Sequence, residues 1–278
     1  MTAPPLIQCK AADAVATLTI ARPHKLNALT NEIMADLAAT LDRIAADQSI
    51  RVVVLTGEGR AFSAGFDVST DEETPEWTPA YWVEHFRLAY AGLQRLWTLP
   101  QPVVAKIRGA CLGGGFALSL SCDLAYASED AYFGEPEVKF GGSTMSPLLA
   151  WALPPRHFKE LLLTGRSIDA KRAEGWGLIN EMVNEAGNVG ALDARVDQVV
   201  RHMCLLPPGT LAKNKSLLNR FYDVMGHAAL MDMAQAQSVI RLSTAPANEF
   251  TEISKEQGVS AALKWQKKRF ADVGAFRS

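Results

Sequence analysis

Apolar positions in the first part of the chain alternate between the spacing of strands and that of helices. Residues 15–20 and 51–56 are short apolar runs, and the second is typical of a strand buried on both faces. Between them, Thr30 can cap a helix whose apolar side chains share one face: Ile33, Leu37, Leu41 and Ile44. A strand, a helix and a strand in this order predict a parallel crossover unit.

The alternation continues to about residue 155 and then changes. A second amphipathic helix is predicted from Trp82, Phe86, Leu93 and Leu96. Strands are predicted at 103–107, 122–127 and 131–133. Beyond residue 155 the pattern is helical almost throughout, in the segments 156–164, 169–176, 189–205, 210–240 and 258–270. The sequence therefore predicts an α/β fold that ends in helices alone.

Composition narrows the function classes without identifying one. The 278 residues are enough for one large domain, or for a domain with a smaller appendage. With 28 basic and 30 acidic residues the net charge is −2, so no overall field favours nucleic acid or a membrane surface. No apolar run reaches the roughly 18 residues that span a bilayer, and the N-terminus lacks the features of a signal peptide. Four cysteines without a CxxC pair and five scattered histidines give no metal-ligand spacing. We expect a cytosolic protein without a metal.

Three consecutive glycines follow the predicted strand at 103–107. Gly113–Gly115 open a helix, and the free N–H groups at a helix start favour negative charge. Each glycine weakens that start by roughly 1 kcal/mol relative to alanine. The triplet therefore indicates close approach of a ligand or of another backbone; a tight turn without a ligand is the alternative.

A second glycine turn lies at Phe62–Asp67, directly after a buried strand. In an α/β fold such turns gather at the carboxyl ends of the strands, where ligands bind. Two convergent N–H donors form an oxyanion hole, which contributes about 3–4 kcal/mol per donor. Ser63 offers an alternative, because residues 61–65 are one residue away from the GxSxG elbow of serine hydrolases. That motif needs a helix directly after the serine, and a loop is predicted here.

Glu135 and Glu137 are candidate acid/base groups. On an extended backbone, residues two apart share one face, and Pro136 keeps this segment from being the interior of a helix. A carboxylate beside glycine turns and apolar strands can have a raised pKa and serve as a general base. A solvated loop is the alternative for each.

Six short motifs occur in order between about residues 15 and 270: Arg22-Pro23 with Asn27-Ala28-Leu29, Phe62–Asp67, Gly113–Gly115, Phe133–Glu137, Glu160–Gly165 and Gly175–Asn180. In order and spacing they resemble the enoyl-CoA hydratase/isomerase (crotonase) family. The resemblance implies a spiral of ββα units over residues 1–200. It also implies a helical C-terminal region, 201–278, through which the chain forms a homotrimer, and two trimers often stack into a hexamer.

The resemblance also implies a site for an acyl-CoA thioester. The backbone N–H groups of Phe66 and Gly114 would stabilise the thioester enolate, and Glu137 would transfer protons. The substrate-binding positions would be Lys25, Ala28, Ala64, Gly65, Asp67 and Gly113. Lys25 would contact a phosphate of coenzyme A, which enters as part of the substrate, so that no cofactor is implied. The basic run 267–269 could reach coenzyme A in a neighbouring subunit, although a solvated charge run is favoured.

One departure from the family pattern bears on the reaction. Hydratases of the family use two glutamates, and the position of the first is Ala117 here. Loss of a positioned proton-transfer group typically costs about 10²–10⁴ in rate. Double-bond isomerases need one base, so isomerisation is favoured. The alternatives are a hydratase in which another residue such as Glu135 substitutes, and a non-catalytic acyl-CoA binder. Residues 139–146, which shape the acyl pocket, also depart from the pattern and leave the acyl chain open.

Overall fold

The strands form two sheets within the residues that the computed structural model describes: 5–68, 78–142, 147–207, 209–244 and 248–271. In these ranges the strands are β1 (Ile7–Ala12), β2 (Val15–Ile20), β3 (Val52–Gly57), β4 (Ala61–Ser63), β5 (Val103–Ile107), β6 (Ala110–Leu112), β7 (Leu124–Ser128), β8 (Tyr132–Gly134), β9 (Ser167–Asp169) and β10 (Glu181–Val183). The larger sheet has the order β1-β2-β3-β5-β7-β10, and the smaller has the order β4-β6-β8-β9.

Helices connect and cover these sheets. Their bounds are α1 (Asn31–Ala46), α2 (Pro79–Thr98), α3 (Gly114–Leu120), α4 (Leu149–Ala152), α5 (Pro155–Thr164), α6 (Ala170–Gly175), α7 (Ala191–Leu205), α8 (Thr210–Val224), α9 (His227–Thr244), α10 (Glu249–Gln257) and α11 (Val259–Ala271). Short 3₁₀ helices lie at Pro23–Lys25 and Pro136–Phe140. None of the helices in the described ranges has the length and apolar character needed to cross a membrane.

The predicted crossover unit is confirmed. Strands β2 and β3 pair in parallel, and α1 connects them. Thr30 caps α1 by accepting a hydrogen bond from the Ile33 amide, and the predicted apolar face is buried: Ile33, Leu37, Leu41 and Ile44. Burying each such aliphatic side chain stabilises the fold by about 1.5–3 kcal/mol.

The chain repeats one unit as it winds between the two sheets. A strand of the larger sheet is followed by a short strand of the smaller sheet and then by a helix: β3, β4 and α2, then β5, β6 and α3. Strands β7 and β8 repeat the step. Within the smaller sheet β4, β6 and β8 run in parallel, so their carboxyl ends share one edge. The expected α/β spiral of ββα units is thus confirmed.

Large aromatic side chains pack where the two sheets meet helix α3. Phe62, Phe116 and Phe133 are fully buried, and the rings of Phe116 and Phe133 lie 5.9 Å apart. Phe62 and Phe133 belong to strands of the smaller sheet, and Phe116 belongs to α3. The core therefore fixes the start of α3 against the strand ends that precede the candidate site.

The prediction of helices beyond residue 155 is wrong at β9 and β10. These three-residue strands are too short for a periodic pattern and are held by pairing, β9 with β8 and β10 with β7. The helix predicted at 210–240 is two helices, because Gly226 adopts a left-handed backbone between them. Part of the loop predicted after Ser63, residues 69–77, lies outside the described residues, as do residues 143–146 of the segment expected to shape the acyl pocket.

Candidate active site

Three segments follow the parallel strands of the smaller sheet and meet at one edge. Residues 64–67 follow β4, Gly113 follows β6, and Glu135 follows β8. The amide of Gly113 donates to the carbonyl oxygen of Gly134 at 2.9 Å, which extends the pairing of β6 and β8 to their ends. Carboxyl ends of neighbouring parallel strands are where ligands bind in such sheets. The topology therefore brings both predicted glycine turns and the predicted carboxylate together.

The turn after β4 is held by hydrogen bonds to residues 26–29. The Ala64 amide donates to the Leu26 carbonyl at 2.9 Å, and the Asp67 amide donates to the Leu29 carbonyl at 2.9 Å. The Leu29 amide in turn donates to the Gly65 carbonyl at 2.8 Å. These bonds fix the backbone on both sides of Phe66.

The amide of Phe66 differs from its neighbours. The amides of Ala64 and Asp67 are used as above, and the Gly65 amide donates to the Ser63 hydroxyl at 3.2 Å. The Phe66 amide donates to no protein acceptor within the described residues. A fixed amide with an unused N–H is what an oxyanion donor requires.

Asn27 ties residues 22–29 to the strands. Its side chain accepts from the Arg22 amide at 3.0 Å and donates to the carbonyls of Glu58 and Ala61 at 2.9 and 2.7 Å. Asn27 has a positive φ of 56° and is fully buried. Satisfying three backbone groups with one buried side chain stabilises a conformation that most residues avoid.

The predicted substrate-binding residues of this segment lie beside the Phe66 turn. Lys25 ends the short 3₁₀ helix, and Ala28 is buried. The Arg22 guanidinium donates to the Ala28 carbonyl at 3.3 Å and forms an ion pair with the Asp67 carboxylate. Asp67 thus anchors the turn to the segment predicted to lie along coenzyme A.

Glu137 lies directly against the second glycine turn. A Cβ added to Gly113 would lie 1.7 Å from Glu137 Oε1, so only glycine leaves room for the carboxylate; Gly113 also has a φ of 49°. The Gly114 amide lies near enough to this carboxylate to lower its pKa. Close approach of a side chain therefore explains the glycine at position 113.

The two turns also contact each other. A Cβ on Gly65 would lie 3.4 Å from the Gly114 nitrogen and 2.9 Å from the Leu112 carbonyl oxygen. A Cβ on Gly114 would lie 2.4 Å from Cε2 of Phe66, so the Phe66 ring rests on Gly114. The predicted donors thus belong to adjoining backbones.

Burial sets the proton affinity of Glu137. The residue as a whole is half-buried, but its Oε2 atom is buried and meets no hydrogen-bond donor among the described residues. Burial raises the pKa of Glu137 to about 7, while hydrogen bonds from the backbone amides of Glu137 and Gly114 oppose the rise. A carboxyl group with this pKa can accept or donate a proton near neutral pH.

The expected extended backbone at Glu135 and Glu137 is wrong. Pro136 is the first residue of a 3₁₀ helix, Pro136–Phe140, and Glu135 caps it with φ −116° and ψ 75°. Proline fixes a φ that suits a helix start, so the chain turns between the two glutamates. Glu135 is fully buried. Burial raises the pKa of Tyr90 and of Cys111, and Glu135 adds a smaller electrostatic contribution to each.

The serine hydrolase alternative is contradicted at Ser63. Ser63 is fully buried, and its hydroxyl donates to the Asn27 carbonyl at 2.8 Å. A Cβ on Gly115 would lie 2.6 Å from the Ser63 Cβ, so helix α3 packs against this side chain. A nucleophile must be accessible to substrate, whereas Ser63 holds the turn together.

Comparison with known proteins gives the family of the chain. A family model described as enoyl-CoA hydratase/isomerase matches residues 10–240. The chain belongs to this family. As an enoyl-CoA hydratase/isomerase family member it is an enzyme that acts on acyl-CoA thioesters.

Curated relatives and a solved structure give the extent of the similarity. A putative enoyl-CoA hydratase of Thermus thermophilus is 34% identical over 206 residues, covering 73% of this chain and 80% of the relative. The 4-chlorobenzoyl coenzyme A dehalogenase-1 of an Arthrobacter species is 34% identical over 202 residues, covering 70% and 71%. A crystal structure of an enoyl-CoA hydratase/isomerase from Xanthobacter autotrophicus has a TM-score of 0.88 at 33% identity, covering 95% of this chain and 98% of the other.

The aromatic side chains that surround Phe66 in this family member are not evident from the sequence. His85 on α2 lies with its ring 5.0 Å from the Phe66 ring, and Tyr81 lies one turn earlier on the same helix. The spacing of Tyr81 and His85, four residues apart at a helix start, was the available indication. A lone histidine in a sequence shows no partners, so the ring contacts needed the fold. No group of metal-ligating side chains occurs in the described part of the chain.

Proposed function

We propose that this enzyme isomerises the double bond of an enoyl-CoA thioester. The backbone N–H groups of Phe66 and Gly114 are proposed to bind the thioester oxygen, and Glu137 to carry the proton. The observation that carries the proposal is the position of the Glu137 carboxylate, which lies against Gly113 and near enough to the Gly114 amide for this amide to lower its pKa.

The reaction follows from one base beside two donors. Ionised Glu137 removes a proton from C2 of a 3-enoyl thioester, and the electron pair moves to the thioester oxygen as a dienolate. The two N–H groups stabilise that oxygen. Protonated Glu137 then returns the proton to C4, the double bond lies between C2 and C3, and the carboxylate is restored. The proton moves between substrate carbons, so the step requires neither a metal nor a redox cofactor.

Ala117 supports isomerisation over hydration. It lies in α3 and is buried, and a methyl group cannot transfer a proton. Adding water across a double bond needs water to be deprotonated and a carbon to be protonated, tasks that hydratases of the family divide between two carboxyl groups. A single carboxyl group meets the needs of a proton shift.

The nearness of Gly114 to Glu137 gives the donor a second role. In this geometry the Gly114 N–H lowers the pKa of Glu137. When a thioester oxygen takes this N–H, the carboxylate loses this stabilisation and its pKa rises. Substrate binding therefore makes Glu137 a stronger base at the moment the proton must leave C2.

Coenzyme A is proposed to lie along residues 22–29, with Lys25 contacting a phosphate. The segment contacts the Phe66 turn through Leu26 and Leu29, so a ligand along it reaches the proposed oxyanion hole. Affinity for coenzyme A alone, measured for Lys25→Met against wild type, tests this placement. Unchanged affinity would contradict it.

A homo-oligomer, trimer or hexamer, is proposed to form through helix α8. Apolar side chains of this helix are exposed in the single chain: Leu217, Leu218, Phe221 and Val224. Val224 is 81% exposed, and a contiguous apolar patch favours association. Light scattering should give a mass of several chains for the wild type and of one chain for Phe221→Asp with Val224→Asp. A monomeric wild type would contradict the proposal.

The test of the reaction uses 3-enoyl- and 2-enoyl-CoA thioesters in water enriched with heavy oxygen, followed by mass spectrometry. A shifted double bond without label is the expected product. Label in the product would show hydration instead, and would assign the missing proton transfer to another residue. No product from either thioester would indicate an acyl-CoA binder without activity.

A further inference from the structure

Four aromatic side chains form a continuous surface beside the proposed oxyanion hole. We call Phe66, Tyr81, Trp82 and His85 the aromatic wall. The His85 ring is its centre: it lies 5.0 Å from Phe66 and 5.7 Å from Trp82, both edge-on, and is stacked on Tyr81 at 5.9 Å. The Tyr81 and Trp82 rings lie 5.1 Å apart. The wall thus joins the turn after β4 to the first turns of α2.

The wall begins at the residue whose backbone is the proposed donor. Phe66 supplies the unused N–H, and its ring rests on Gly114, the second donor. A thioester oxygen held between these two amides would lie beside the Phe66 ring, because this ring rests on Gly114. The wall is thus adjacent to the place proposed for the acyl group.

The wall is only partly used by the core. Phe66, Tyr81, Trp82 and His85 are each half-buried, whereas Phe86 next to them on α2 is buried. A group of partly exposed aromatic side chains forms an apolar surface, and such surfaces are typical of ligand sites.

His85 contributes to the wall as a neutral ring. Its Nδ1 lies 2.7 Å from Asn31 Oδ1, and since an amide oxygen only accepts, Nδ1 carries the proton. Burial lowers the pKa of His85 to about 4, so the imidazole is uncharged near neutral pH. An uncharged imidazole fixed by Asn31 presents an aromatic face without a charge to solvate.

We propose that the aromatic wall selects acyl-CoA thioesters whose acyl group carries a planar aromatic ring. The inference rests on the proposed function, because it places the acyl group by the two donors. Aromatic rings prefer edge-to-face and offset-stacked contacts with one another, and a flexible aliphatic chain gains no such preference. A planar acyl group is also rigid, so it loses less conformational freedom on binding.

The test is calorimetric binding of benzoyl-CoA, hexanoyl-CoA and coenzyme A, none of which has a double bond to shift. The two acyl groups are similar in size and differ in planarity. We expect benzoyl-CoA to bind about tenfold more tightly than hexanoyl-CoA, the effect of about two aromatic contacts. Equal affinities, or tighter binding of hexanoyl-CoA, would overturn the inference, as would failure of both to bind.

Tyr81→Leu and His85→Leu remove one ring each and keep apolar bulk. Each should lower benzoyl-CoA affinity about three- to tenfold and leave hexanoyl-CoA and coenzyme A unchanged. Val83→Ala is the matched control, because Val83 is exposed on the same turn of α2 and outside the wall. An equal loss for all three ligands would place the wall at the nucleotide and overturn the inference. The heavy-oxygen experiment tests the proposed isomerisation by itself. The proposed selectivity for aromatic acyl groups can therefore be contradicted without contradicting the proposed reaction, and the reverse also holds.

Discussion

The two proposed oxyanion donors are built in different ways. The Phe66 amide lies in a turn whose neighbours are held from both sides by residues 26–29, and its N–H is unused among the described residues. The Gly114 amide lies at the start of α3, near the Glu137 carboxylate, and lowers the pKa of that carboxylate. One donor is fixed and free, and the other is coupled to the base. We therefore expect changes at Gly114 to alter proton transfer by Glu137. Changes around Phe66 should alter only the position of the Phe66 oxyanion donor.

The strongest test of the comparison removes the base and keeps its shape. Glu137→Gln retains an oxygen for the Gly114 N–H but cannot carry a proton. We expect turnover to fall by about 10²–10⁴ with little change in affinity for a saturated acyl-CoA. Steady-state kinetics and calorimetry measure the two quantities.

Glu135→Gln is the companion of that variant. Glu135 is fully buried two residues away, and it adds to the effect of burial on the pKa of Tyr90 and of Cys111. It should retain most of the activity if one carboxyl group suffices. A loss as large as that of Glu137→Gln would make Glu135 the second acid and favour hydration.

The free donor can be displaced without touching the base. Gly65 has a φ of 95°, and a Cβ there would lie 2.9 Å from the Leu112 carbonyl oxygen. Gly65→Ala must therefore move the Phe66 amide, and we expect kcat to fall by about 10², the effect of one lost oxyanion donor. The pH profile of the remaining activity should keep its midpoint, because the added methyl group would clash with the Leu112 carbonyl oxygen and would be only in van der Waals contact, at 3.4 Å, with the Gly114 nitrogen.

Gly59 provides the control for backbone strain. It also has a left-handed φ, 75°, and an added Cβ would lie 3.4 Å from the Pro23 Cβ. Gly59→Ala carries the same conformational cost, about 1–2 kcal/mol, away from the donors. Equal kinetic losses in both variants would show that strain alone, and no displaced donor, explains Gly65→Ala.

How much the sequence could predict differs between the two donors. The glycines that mark both turns are visible in the sequence, because close approach and positive φ leave few other choices. That Glu137 is the group in contact with Gly113 required the pairing of β6 with β8, which joins residues about 20 apart. The spacing of Glu135 and Glu137 suggests extended backbone where the chain turns at Pro136, and the three-residue strands β9 and β10 are too short to show periodicity. The contacts of His85 depend on how α2 packs, which no local pattern contains.

The pH dependence tests the coupled donor. The base must be ionised, and burial raises the pKa of Glu137 from 4.5 to about 7. We expect kcat/KM to rise about tenfold between about pH 6 and about pH 8 and then level off. The effect of pH on stability has the opposite sign. The folded chain binds the Glu137 proton more tightly than the unfolded chain does. The contribution of this proton to the free energy of unfolding is therefore lost as pH rises from about 4.5 to about 7. The melting temperatures of wild type and Glu137→Gln should be similar at low pH and should differ more at high pH. Activity unchanged down to pH 5 would contradict the raised pKa.

The smallest expected effect concerns how firmly the free donor is held. The Arg22 guanidinium reaches both the Ala28 carbonyl and the Asp67 carboxylate, whereas a lysine has one compact ammonium and cannot bridge them in the same way. Arg22→Lys should lower kcat/KM about two- to tenfold, the effect of one lost hydrogen bond, and leave the midpoint of the pH profile in place. Arg60→Lys, at an exposed position of the turn between β3 and β4, is the matched control and should change neither. A shifted midpoint in Arg22→Lys would show that the Phe66 turn also acts on Glu137. The two donors would then be coupled alike, and the distinction between a fixed and a shared donor would fail.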